Sequence, residues 1–140
     1  MGRILLKNAT VVNDNRIFPA DILLEDEVIL KIEDRISSEG AVKVMDLKGK
    51  YIIPGAIDDQ VHFREPGLTH KGTIATESRA AVAGGITSFM EQPNTNPQTT
   101  TIEALEDKFE IARNSAFANY SFLFGGTNDN LEEIKKLDKN

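Results

Sequence analysis

The sequence predicts an α/β chain in which a small β module precedes strands that alternate with helices. Two observations carry this reading. Residues 1–53 hold short, β-rich runs separated by Asn/Asp/Gly turn chemistry, and from Pro54 onward the pattern becomes strand, helix, strand, helix. In the first stretch, strands are expected at Arg3–Lys7, Thr10–Asn13, Asp21–Glu25, Val28–Glu33, Lys43–Leu47 and Tyr51–Ile53. The turn at Glu25-Asp26-Glu27 lacks the glycine that a two-residue hairpin favours after Asp.

The second stretch, 54–140, opens with a strand over Ala56–Phe63. A helix follows over Thr73–Ala83, and Gly84-Gly85 suits its left-handed C-terminal cap. A second strand is expected at Ile86–Met90. The run Gln92-Pro93-Asn94-Thr95-Asn96-Pro97 is too proline-rich to be regular. Thr100 with Glu103 three residues on reads as a capping box opening a helix to about Asn114, with Ile102, Leu105, Phe109 and Ala112 at helical spacing. A third strand, Asn119–Phe124, leads through Gly125-Gly126 to a helix starting near Asp129 and Glu132, with Lys135 and Lys136 toward its C-terminal end. Three strand–helix units are too few to close a (β/α)8 barrel, which needs eight and about 250 residues. The chain is therefore expected to be the beginning of a larger architecture.

Composition narrows the function classes. The net charge is -6, from 22 acidic and 16 basic residues, and no basic cluster exceeds Lys135-Lys136, so nucleic acid is not an expected partner. No apolar run approaches the roughly 20 residues that span a bilayer, and Met1–Leu6 is too short for a secretory h-region, so no membrane association and a cytoplasmic location are expected. There are no cysteines and two histidines, His62 and His70, so a metal would have to be held by His, carboxylate or a modified side chain.

The densest chemistry is Asp58-Asp59-Gln60-Val61-His62-Phe63-Arg64-Glu65-Pro66-Gly67, at the end of the first strand of the parallel pattern. Functional groups gather at the C-terminal ends of such strands. Alternation sends Asp58, Gln60, His62 and Arg64 to one face, and Asp59, Val61 and Phe63 to the other, toward the helices. Taken singly, His62 reads as a hydrogen-bonded structural residue, Arg64 as half of a surface ion pair, and Asp58 as a strand-end cap. His70, in the following loop, reads as a surface residue.

Taken together with Pro93-Asn94-Thr95, the cluster resembles the dihydroorotase signature D-x-H-x-H-x-R-E-P-G followed by P-N-T, within the amidohydrolase superfamily. The Lys7-Asn8-Ala9 opening, the Asp21–Asp26 strand and Ile53-Pro54-Gly55 are similar to the β module of the same family. The resemblance implies an N-terminal β-sandwich over residues 1–53 and, over 54–140, the first three βα units of an incomplete TIM (β/α)8 barrel. It implies reversible hydrolysis of (S)-dihydroorotate to N-carbamoyl-L-aspartate in pyrimidine biosynthesis, with one or two zinc ions and a carbamylated lysine beyond residue 140.

Carried over residue by residue, the resemblance makes Arg64 and Asn94 the clamp for the substrate carboxylate, His62 a metal ligand, and Asp58 a group that orients ligands from behind. Bidentate guanidinium pairing and a neutral amide donor suit that carboxylate. Gln60 stands where the family has its first histidine, and an amide oxygen is a poor zinc ligand beside imidazole. No catalytic residue is assigned within the chain, and the 140 residues alone are expected to be inactive. Two alternatives stay open: a metal-poor, non-catalytic dihydroorotase-like subunit, and a related cyclic amidohydrolase such as allantoinase or dihydropyrimidinase. An incomplete barrel would expose apolar surface, which favours homo-oligomerisation.

Overall fold

A computed structural model describes residues 2–41 and 43–137, and the chain divides into two units, Met1–Pro54 and Gly55–Asn140. In the first, β1 (Arg3–Asn13), β2 (Arg16–Glu25), β3 (Val28–Glu33), β4 (Lys43–Asp46) and β5 (Tyr51–Ile52) form one sheet. Its order is β3-β2-β1-β4, with β5 also beside β1; β4 and β5 run parallel to β1, and β2 and β3 are antiparallel neighbours. Among the described residues this unit holds no other sheet.

The two short strands expected at Arg3–Lys7 and Thr10–Asn13 are one strand with a break in register between Leu6 and Ala9. Asn8 sits at φ 54, and its amide donates to the buried Asp21 carboxylate at 2.9 Å, so the irregularity is anchored rather than terminated. The other Asp21 oxygen accepts from the Ile36 amide at 3.0 Å. β2 starts at Arg16, five residues before the expected Asp21. Pro19 argues against a central strand, but over this stretch β2 pairs only with β1, where a missing donor costs nothing. Asp14 and Asn15 both adopt positive φ, as a two-residue hairpin of the primed type requires. Asp26 takes φ 53 in the next hairpin, supplying without glycine the left-handed residue that the turn needs.

In the second unit, β6 (Ala56–Val61), β7 (Ile86–Glu91) and β8 (Asn119–Phe122) form a parallel sheet in chain order. The helices α1 (Ile74–Ala83) and α2 (Ile102–Ser115) connect them, and α3 (Leu131–Lys136) follows β8. Thr73 caps α1 in a reciprocal box with Thr76, and Gly85 at φ 93 leaves the helix in the left-handed region. α2 is capped by Thr101, whose hydroxyl accepts from the Ala104 amide, so the expected Thr100/Glu103 box does not form. The Ile102 amide instead donates to Glu133 of α3 at 3.1 Å, and the Thr100 carbonyl accepts from Asn130 at 2.8 Å.

α3 begins two residues later than the expected Asp129. Asn130 precedes it but makes no side-chain cap, because its Oδ1 accepts from the Thr127 amide at 2.8 Å while its Nδ2 donates to the carbonyls of Thr100 and Gly125. β6 and β8 end at Val61 and Phe122, two residues short of the expected Phe63 and Phe124.

The core between sheet and helices is Val61, Phe63, Ile74, Phe89, Ala112 and Phe122, with Leu105, Phe109 and Tyr120 packed against it. Phe63 and Phe89 rings lie 4.6 Å apart, and Phe109 meets Phe122 edge-on at 4.9 Å. This core fixes the strand ends from which the polar residues project. No helix among the described residues is long and apolar enough to cross a membrane.

Candidate active site

The ends of β6 and β7 are tied by main-chain bonds before any side chain contributes. Glu91 lies opposite Val61, and the Gln92 amide donates to the Val61 carbonyl at 3.0 Å. Beyond this point the chain alternates cleanly: Val61 and Phe63 are buried, Gln60 and His62 are exposed. Upstream, the register breaks between Asp58 and Val61, and Asp59 is exposed rather than turned into the helix layer as alternation predicts. The break is where Asp58 Oδ1 accepts the Gln60 amide at 3.1 Å, a local bond that competes with the ladder.

The two loops then meet. His62 Nδ1 lies 2.9 Å from Asn94 Oδ1. With the amide presenting its oxygen, Nδ1 carries the proton, which leaves the Nε2 lone pair open and the Asn94 amide hydrogens free to donate elsewhere. Arg64 follows at φ 74, its amide donating to Glu91 Oε1 at 2.9 Å and its carbonyl accepting from Leu68 at 3.0 Å. Its half-buried side chain makes no hydrogen bond or ion pair among the described residues. Glu65 accepts from the Ile74 amide at 2.8 Å and so satisfies the open N-terminus of α1. Gly67, at φ 79, packs against Asn96 so closely that a Cβ would lie 1.9 Å from the Asn96 carbonyl oxygen. The Asn96 amide donates to the Pro66 carbonyl at 3.2 Å, closing the contact between the Arg64–Gly67 turn and the Asn94 loop.

Beneath these loops sits a pair that sequence reasoning missed. Glu91 and Lys108 are fully buried, with Glu91 Oε2 3.1 Å from Lys108 Nζ. The ammonium directs its hydrogen bond to the Gln92 carbonyl at 3.2 Å and stands 5.0 Å over the Phe122 ring. Burial pushes the Glu91 carboxyl above the usual range, opposed by the Lys108 charge and by the amides of Arg64 and Phe63. Burial likewise lowers Lys108, opposed by Glu91. A signal was present: Lys108 lies three residues after Leu105 and four before Ala112 on the apolar stripe of α2, where a lysine needs a partner.

Of the residues expected to act, His62 and Asn94 are in contact, and Arg64, two residues after His62 on the same β6 loop, is tied through its main-chain amide to Glu91. Gln60 is exposed, its side chain without a hydrogen-bond partner among the described residues, and the Asp58 carboxylate is used on its main-chain amide. His70 is exposed in a turn outside the cluster. Among the described residues no three His, Asp or Glu side chains converge to hold a metal ion. The cluster thus offers one imidazole, which is not a zinc site by itself. Next to Asn94 is a shallow hollow of about 130 Å³ lined by Pro93, Asn94, Gln98, Thr100, Gly125 and Gly126. A Cβ on Gly125 would come within 3.1 Å of Thr100 and 3.2 Å of Pro93, so this glycine keeps the β8 exit close to the Asn94 loop. A guanidinium with no partner among the described residues and an amide donor on adjoining loops can receive a small carboxylate.

Comparison with known proteins follows the same lines. The Dihydro-orotase-like family pattern matches residues 49–137. A dihydroorotase of Methanosarcina mazei is 39% identical over 137 residues, covering 98% of this chain and 30% of that protein. An L-hydantoinase of Paenarthrobacter aurescens is 33% identical over 138 residues, covering 98% of the chain and 30% of that protein. Among solved structures, the L-hydantoinase (dihydropyrimidinase) from Arthrobacter aurescens superposes with a TM-score of 0.91 at 34% identity, covering 97% of this chain and 30% of that one. The chain thus spans 30% of the length of these relatives. From the matched pattern and the identity over nearly its whole length, the chain belongs to the Dihydro-orotase-like family.

Proposed function

We propose that the chain is the N-terminal part of a dihydroorotase, which interconverts (S)-dihydroorotate and N-carbamoyl-L-aspartate, and that it supplies the substrate-carboxylate clamp. The observation that carries this is the contact of His62 with Asn94 at the ends of β6 and β7, with Arg64 two residues after His62 on the β6 loop. Asn94 gives its oxygen to His62 and keeps its hydrogens for an anion, while the Arg64 side chain has a permanent charge and no partner among the described residues. A neutral hydantoin or dihydropyrimidine would leave that half-buried guanidinium uncompensated.

In this reading the two units are the start of a β-sandwich module and the first βα units of a TIM barrel, in a cytoplasmic enzyme that associates with copies of itself. His62 is the zinc ligand that this stretch contributes, and Asp58 acts behind it through the Gln60 main chain. The further ligands, a carbamylated lysine among them, come from sequence outside these 140 residues. When bound, zinc would polarise the ring amide and activate water. The residues described here orient the substrate by its carboxylate.

The exposed Gln60, with no side-chain partner among the described residues, favours a second reading: a metal-poor, non-catalytic dihydroorotase-like subunit. A substrate panel tests the first reading in a protein that contains this chain with the remaining length of its relatives. Turnover of dihydroorotate well above that of dihydrouracil and hydantoin is the expected result. Preference for the uncharged rings would favour hydantoinase chemistry, and absence of all three activities in the zinc-supplied protein would favour the non-catalytic subunit.

A further inference from the structure

Glu91 and Lys108 are placed in the layer between β7 and α2, where apolar residues of the same volume would fill the space without the desolvation penalty that two buried ions carry. What distinguishes them is where their remaining bonds go. Glu91 Oε1 takes the amide of Arg64, and Lys108 Nζ takes the carbonyl of Gln92, two residues before Asn94. One end of the pair is therefore fastened to the main chain of the β6 loop and the other to that of the β7 loop. The Glu91 main-chain carbonyl also accepts from Leu123 at 2.9 Å, so the ends of β6, β7 and β8 all converge on this residue.

Arg64 needs such a hold. It is the one non-glycine residue of its unit described with positive φ, a conformation that persists only when the surroundings over-determine it. The Phe63 ring is locked on one side by the core, and the Glu91 carboxylate fixes the next amide, so the direction in which the Arg64 side chain leaves is set from below. The pair is sealed from solvent and lies in the helix layer, so it acts through Arg64 and Asn94 and not on substrate itself.

We propose that the buried Glu91–Lys108 pair is a positioning device that holds Arg64 and Asn94 in mutual register for one carboxylate; its functional half rests on the carboxylate-clamp reading above. Two double variants separate positioning from stability, because both remove both charges. Glu91→Gln/Lys108→Met keeps an acceptor for the Arg64 amide, and Glu91→Leu/Lys108→Met removes it.

The first readout is amide hydrogen exchange in the full-length protein. The Leu123 and Gln92 amides serve as internal references, since they bond main-chain carbonyls that neither variant alters. Arg64 is expected to exchange about 10-fold faster relative to them in the Leu/Met variant and at the wild-type ratio in the Gln/Met variant. The second readout is KM for dihydroorotate, expected to rise about 10-fold in the Leu/Met variant and by a smaller factor in the Gln/Met variant, which loses only the Lys108 bond to the Gln92 carbonyl, with the KM of an uncharged dihydropyrimidine within about twofold of wild type in both. An Arg64 exchange ratio unchanged in the Leu/Met variant would overturn the proposal. So would faster exchange with an unaltered KM for dihydroorotate, or an equal loss on both substrates. The clamp reading fails separately, if Arg64→Lys in the wild-type background causes no loss selective for dihydroorotate; the exchange ratio then still decides whether the pair holds Arg64.

Discussion

Replacing Gly67 with alanine probes the contact on which the two site loops depend. Two costs add at this position. At φ 79 an L-residue pays the left-handed penalty of roughly 1–2 kcal/mol. The new Cβ would also lie 1.9 Å from the Asn96 carbonyl oxygen and 2.7 Å from Asn96 Cβ, so one loop must move by more than an ångström, at about 1–3 kcal/mol. The sum is roughly 2–5 kcal/mol. Gly85 in the same unit is the control, for it has φ 93 but nothing within 4 Å of a built Cβ, and Gly85→Ala should cost only the backbone part, roughly 1–2 kcal/mol. Equilibrium urea unfolding followed by far-ultraviolet circular dichroism, with unchanged m-values, gives both numbers. If Gly67→Ala destabilises no more than Gly85→Ala, the close approach of the Gly67 turn to Asn96 does not exist in solution.

Further expectations concern the core, the metal and the pH response. Phe89→Ala removes the buried ring between Phe63 and Tyr120 and should cost about 3–5 kcal/mol by urea unfolding. In the longer protein, Gln60→His should raise the zinc retained after dialysis, because an imidazole at this exposed position beside His62 binds zinc far better than an amide; two tightly held ions already present in the wild type would contradict this. Asp46 is held below the ordinary aspartate range by the Asn8 side-chain amide and the Lys48 main-chain amide. Its stabilising contribution is therefore present above the ordinary aspartate pKa and lost as pH falls through the lowered one, so the stability gap between wild type and Asp46→Asn should close on acidification. Glu91 has the opposite sign: burial raises it, so carbon-13 titration should find its carboxyl protonating above the ordinary glutamate range.

The alternation of strands and helices after Pro54 was legible because apolar periodicity and glycine stops agree there, as in Ile86–Glu91 and the Ile102/Leu105/Phe109/Ala112 stripe. The meeting of His62 with Asn94 was legible as a family signature and not as geometry, since 32 residues separate them. Other features hid in long-range competition. Thr101 and not Thr100 caps α2 because Glu133 and Asn130, about 30 residues on, take up the groups at this helix start. The early start of β2 hid behind Pro19, which is harmless only because one of its flanks is unpaired at that point. The strand end at Asp58–Val61 broke because a side-chain bond to Gln60 outbid the ladder, and period-two reasoning therefore misplaced Asp59. Glu91 and Lys108 were passed over because each reads as a solvated charge until the partner across the sheet–helix layer is known.

The central claim is that Arg64 and Asn94 present a carboxylate clamp, and substrate discrimination by the Arg64→Lys variant tests it most directly. In a protein that carries this chain and the remaining length of its relatives, kcat/KM is measured for dihydroorotate and for an uncharged dihydropyrimidine. Lysine keeps the charge but loses the bidentate fork, a loss of roughly 2–4 kcal/mol on the charged substrate, or about 30- to 1,000-fold in kcat/KM. The uncharged substrate should change by less than about threefold. Equal losses on the two substrates would assign Arg64 to the scaffold and contradict the clamp.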